Sequence, residues 1–74
     1  MKKATAEQWK AIGDQAYKVR EELFLLMELS SGKMPIYMTG YIKKTISDLD
    51  KFRSVAEQRM IEVGERPKDY SFYR

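Results

Sequence analysis

The sequence predicts an all-α fold, an antiparallel two-helix hairpin that pairs with a second copy into a homodimeric four-helix bundle. Three observations predict it. Apolar residues recur at steps of three and four through Trp9, Ile12, Ala16, Val19, Leu23 and Leu26, the spacing of a helix with one sticky stripe. A second ladder of the same kind runs through Met38, Ile42, Thr45, Leu49, Phe52 and Ala56, with Met60 and Val63 beyond. Between them lies a short breaker containing Gly32 and Pro35, and a short connection between two long helices makes them antiparallel neighbours.

Residues 1–64 are expected to form the hairpin and residues 65–74 a C-terminal tail. The first helix is expected over about 5–31. Thr5 reads as its N-cap, and Gln8, three residues on, completes a capping box. Glu7 sets a negative charge at the positive end of the helix dipole. Ser31-Gly32 is the stop, with Gly32 able to take the left-handed conformation. The second helix is expected over about 35–63. Pro35 suits a first helical position, where a missing N–H costs nothing. Gly40 weakens the first turns by about 1 kcal/mol relative to alanine, which leaves Thr39 as an alternative start. Gly64 caps the far end and Pro67 prevents a restart. Each helix is then roughly 40 Å long. Trp9 falls level with Met60 and Val63, and Leu26 level with Met38 and Ile42.

A lone hairpin buries one stripe per helix, and the first helix has more than one. Leu25 and Leu29 lie almost opposite the Ile12–Leu23 seam, with Tyr17 and Phe24 on its flank. The run Leu23-Phe24-Leu25-Leu26-Met27 is apolar all round, the mark of a segment covered from more than one side. A second copy related by a two-fold axis would supply that cover. The alternative is that the tail folds back over Leu25 and Leu29. Arg53 falls near the middle of the second apolar stripe, between Leu49, Ala56 and Met60. A buried, unpaired guanidinium is very costly. Arg53 is therefore expected either to snorkel at a dimer rim or to meet a carboxylate. It faces the first helix near Gly13, which leaves room, and Asp14. Tyr17, Phe24, Leu25, Leu29 and Arg53 are the expected protein interface.

The composition narrows the function. Seventy-four residues make one small domain, and a domain of this size usually needs a staple. Cysteine and histidine are absent, so no disulfide and no thiolate or imidazole metal site is expected, and association becomes the expected staple. The net charge is +3. The first helix is acidic, the second nearly neutral, and the positive excess lies at the termini and the turn, so no strong basic stripe forms. Lys2 and Lys3 are not followed by an apolar run, and Leu23–Met27 is far shorter than the roughly 20 residues that cross a bilayer. The expectation is a cytoplasmic protein with no membrane contact.

Catalytic chemistry is not expected. Triads of the Ser/His or Cys/His kind need residues this chain lacks. Gly13, Gly32, Gly40 and Gly64 are too scattered for a phosphate loop. Glu21, Glu22 and Glu28, and Asp48 and Asp50, read as surface charge; a magnesium site would need them to converge. Ser47-Asp48-Leu49-Asp50 resembles the Ser-x-x-Leu-Asp motif of helical-hairpin phosphatases that act on phosphorylated sporulation regulators, but the serine is one position too close to Leu49-Asp50 and is rotated off the required face. No cofactor and no metal is expected.

The tail mixes Arg66, Lys68 and Arg74 with Tyr70, Phe72 and Tyr73. Such a mixture can stack on single-stranded bases. The favoured reading is that Tyr70, Phe72 and Tyr73 dock on the bundle end near Trp9, or bind a partner. Two functions remain. The leading one is a small non-enzymatic protein–protein interaction or regulatory module that acts as a hairpin dimer and binds another protein. The alternative is a small helical dimer that binds RNA or DNA through Lys43, Lys44, Lys51, Arg59, Arg66, Lys68 and Arg74. In architecture alone, with no shared motif, the chain resembles the plasmid-copy-number RNA-binding hairpin dimers. Nucleic-acid binding would fall steeply with salt.

Overall fold

Thr5 sets the start of the first helix as the capping rule requires. In the computed structural model, which describes residues 3–67 and 70–72, Gln8 N–H donates to Thr5 Oγ1 at 3.2 Å and Thr5 N–H to Gln8 Oε1 at 2.8 Å. Two of the orphan donors at the helix start are satisfied reciprocally. Helix α1 then runs Ala6–Ser30 and helix α2 runs Ile36–Glu62. Among the described residues there is no strand, so the hairpin is all-α.

The connection works differently from a simple left-handed cap. Ser31 has φ −62° and ψ 130°, Gly32 has φ 76°, and Lys33 N–H donates to Ser30 O at 3.1 Å. These are the angles of a type II turn, whose third position needs positive φ and so favours glycine. Pro35 sits one position earlier than expected, as the N-cap of α2; its carbonyl accepts from Met38 N–H at 3.0 Å. Gly40 lies inside the helix, which removes Thr39 as a start. At the far end Gly64 has φ 73°, Gly64 N–H donates to Ile61 O at 3.1 Å and Glu65 N–H to Met60 O at 3.3 Å. That pair of bonds is a Schellman motif, and it turns the chain back toward the hairpin.

The two helices and the tail make a rod of 45 × 18 × 18 Å. Its core sits at the end away from the turn: Ala56, Met60, Tyr70 and Phe72 are buried together, with Trp9 against them. The tail is therefore the third wall of the core. It docks at the Trp9 end, as one reading of the sequence expects, and leaves Leu25 and Leu29 exposed, so it does not cover them. Tyr73 lies outside the described residues.

The seam needs one correction. Ile12, Leu26, Met38 and Phe52 belong to the two ladders, yet all four are exposed. A ladder of threes and fours merges two rows of period seven that lie about 60° or less apart on the helix. On α1 the row Trp9–Ala16–Leu23 turns to the partner helix. The row Ile12–Val19–Leu26 is more open, with Val19 half-buried and its two flanking residues exposed.

Candidate functional site

Two kinds of surface stand out, and the tail separates them. The first is the covered side. Gly13 has no side chain, and the ring of Tyr70 lies in that gap: a Cβ built on Gly13 would fall 1.9 Å from Tyr70 Oη and 2.8 Å from Cζ. The single phenol proton is shared between Lys10 O at 3.2 Å and Asp14 Oδ1 at 3.3 Å. Phe72 meets Tyr70 edge-on at a centroid distance of 5.9 Å and Trp9 at 6.4 Å. These are the tilted arrangements that aromatic quadrupoles favour. Trp9 Nε1 is buried and meets no acceptor among the described residues.

Arg53 belongs to this covered side and not to an outer rim. It is 5% exposed, so it does not snorkel. Its Nη2 donates to Phe72 O, and its Nη1 lies 3.4 Å from Asp50 Oδ1. Asp50 also accepts from Arg20 Nε at 3.1 Å, so one carboxylate joins both helices through two guanidinium groups. The room that Gly13 leaves goes to Tyr70, and the carboxylate that Arg53 meets is Asp50 rather than Asp14. Ser71 Oγ donates to Glu57, and Arg66 Nε donates to Tyr70 O at 2.7 Å. The tail is thus held by polar bonds as well as by rings.

Burial pushes the Tyr70 phenol above its ordinary value of 10.0; Arg53 pulls it back and Glu57 adds to the rise. A group whose pKa is raised on folding contributes its full stability below the unfolded value and loses it as pH climbs through the folded value. Tail docking should therefore be flat across neutral pH and weaken as pH rises above about 10. Emission from Trp9, the single tryptophan, reports it, and Tyr70→Phe should remove that alkaline step. An equal step in Tyr70→Phe would assign it to another group.

The second kind is open. Tyr17, Phe24, Leu25 and Leu29 of the expected interface are exposed on α1. Arg20 stacks over the Phe24 ring at 4.6 Å from its centroid. A concavity beside it is lined by Glu21, Glu22, Phe24, Leu25 and Glu28. A second groove, absent from the sequence reading, runs along the hairpin between Ile12, Val19, Leu49 and Phe52, with Ala11, Gln15 and Ala16 completing its wall. None of its lining residues is charged.

Among the bases named for nucleic acid, Lys44 and Lys51 lie seven residues apart on one face of α2. Lys43 and Lys44 lie about 100° apart around α2, Arg59 faces Glu62 at 3.7 Å, and Arg66 is engaged with the tail. Lys51 is exposed. Lys68 and Arg74 lie outside the described residues. Among the described residues no group of three or more His, Cys, Asp or Glu side chains could hold a metal ion, and no helix is long and apolar enough to cross a membrane. Comparison with protein-family models, with curated proteins and with solved structures returns no match.

Proposed function

We propose that this protein is a small non-enzymatic interaction module that acts as a helical-hairpin dimer and binds another protein. One observation carries the reading. Fourteen large apolar side chains are exposed among the described residues, against six buried hydrophobic ones. A solvated monomer rarely leaves so much contiguous apolar surface uncovered. Nine of the fourteen lie toward the turn, away from the tail-covered core: Phe24, Leu25, Leu26 and Leu29 on α1, Met34 in the connection, and Ile36, Tyr37, Met38 and Tyr41 on α2. Aromatic and aliphatic anchors with a charged rim are the usual anatomy of a protein interface. Glu21, Glu22 and Glu28 form such a rim beside Phe24 and Leu25.

Sedimentation equilibrium of the full chain tests the reading. The expected mass is twice 8.7 kDa across the micromolar range. A mass of one chain at every concentration would overturn the dimer. For the further partner, immobilised wild-type chain should retain a protein from host extract that Leu25→Lys does not retain, and equal capture by both would remove that edge from the binding surface.

A further inference from the structure

We infer that the groove between Ile12, Val19, Leu49 and Phe52 is where a second copy of this chain docks, with the two rods antiparallel. The inference rests on the dimer proposed above and assigns its surface and symmetry. The groove holds about 400 Å³ and continues along the rod as two open rows of period seven. On α1 the row is Ile12–Val19–Leu26; on α2 it is Met38–Thr45–Phe52. Ile12, Leu26, Met38 and Phe52 are 39%, 49%, 40% and 50% exposed. The polar member does not break the apolar face, because the Thr45 hydroxyl donates to Tyr41 O at 2.8 Å and is satisfied within its own helix.

An open row that repeats every seven residues, on the side of the rod away from the tail, is the kind of stripe that a helix packs against. The occupant is therefore helical and as long as the rod. The whole flank of a rod 45 Å long and 18 Å across is roughly 800 Å², the share each partner gives to a standard interface, so only an occupant that covers the rod from end to end reaches that share. The face lies beside the tail-covered side without overlapping it: Tyr70 occupies the Gly13 gap, whereas the groove opens at Ile12.

The row on α1 is also self-complementary. Val19 is its centre, and a two-fold axis crossing the rod there sets Val19 on its own copy and Ile12 on the second copy's Leu26. The bond between Arg20 and Asp50 fixes the level of the two helices, so Phe52 lies close to the same axis and meets its own copy. Charge favours this sense over the parallel one. Residues 29–47 contain Lys33, Lys43 and Lys44 and no acid. Parallel pairing would bring both lysine groups together at one end. Antiparallel pairing separates them by about the length of the rod, far beyond the roughly 8 Å over which charges act at physiological salt.

Substitutions in the full chain test this. Phe52→Glu places two carboxylates face to face at the axis and should raise the dimer dissociation constant about a hundredfold, with helicity by circular dichroism unchanged. Ile12→Glu should act in the same direction from the other helix, and Leu25→Lys should leave the dimer intact. The chain has no cysteine, so Val19→Cys gives a single thiol that should cross-link to its own copy under mild oxidation, whereas Tyr41→Cys, near the turn, should not. A dimer that survives Phe52→Glu and Ile12→Glu, or that is broken by Leu25→Lys, would overturn the face and leave dimerisation standing. A dimer in which Val19→Cys fails to cross-link would overturn the axis at Val19, and one in which Ile12→Cys cross-links to its own copy, as parallel rods would bring it, would overturn the antiparallel sense. A monomeric wild-type chain would overturn both the inference and the dimer it rests on.

Discussion

Truncation of Phe72 to alanine is expected to lower stability by about 3–5 kcal/mol. Phe72 is 1% exposed and lies among Ala56, Met60, Tyr70 and Trp9. Removing its ring costs the transfer energy of the side chain and leaves a void that two helices and a short tail cannot close. The chain has little margin. A domain of 74 residues has a total stability of roughly 4–11 kcal/mol at usual per-residue values. The loss does not stop at the ring. The Phe72 carbonyl accepts from Arg53 Nη2, so a loosened tail strips a partner from a buried guanidinium, the kind of orphaning that costs more than the bond itself was worth. The urea midpoint should fall, and Trp9 emission should shift to the red as the indole becomes wet. A midpoint within error of wild type, with Trp9 emission unmoved, would show that the tail is not part of the core.

The local rules were legible and the long-range ones less so. Thr5 and Gln8, Gly64 and the alternation of threes and fours each act over fewer than eight residues, and the helices begin and end within a residue or so of where these signals place them. Docking of Tyr70 and Phe72 near Trp9 could also be read, because rings with nowhere else to go tend to close the end of a core. Three things were hidden. The first is which of two interleaved rows points inward; Ile12 and Ala16 differ by only about 40° on the helix, and one is exposed and the other buried. The second is the partner of Arg53. Part of it is a backbone carbonyl of the tail, and every residue type carries one, so no side-chain pattern announces it. The third is the owner of the gap at Gly13. The sequence shows that a gap exists; only the path of a chain segment more than fifty residues away decides that Tyr70 fills it. The residues of the groove had a signal, since Ile12–Val19–Leu26 repeats by sevens, but that signal reads equally as the seam inside the hairpin.

Gly13→Ala is expected to change sign with its neighbour, which makes it the sharpest check on the tail. Alanine in place of glycine inside a helix ordinarily stabilises by about 1 kcal/mol. Here the new methyl would sit 1.9 Å from Tyr70 Oη and 2.8 Å from Cζ, closer than atoms approach, so the ring must leave. Its departure gives up the hydrogen bond shared between Lys10 O and Asp14 and the edge-on packing against Phe72. The loss of a buried aromatic contact of this kind is on the order of 2–4 kcal/mol, which exceeds the helical gain, so the single variant should be destabilised. In a Tyr70→Leu background the phenol is gone and the shorter side chain no longer reaches the gap. The same Gly13→Ala change should then stabilise, by about the ordinary helical amount. Paired urea melts of the four proteins in this cycle measure the coupling directly. If Gly13→Ala had the same effect with and without Tyr70, the ring would not occupy that gap, and the covered side of the rod would have to be built some other way.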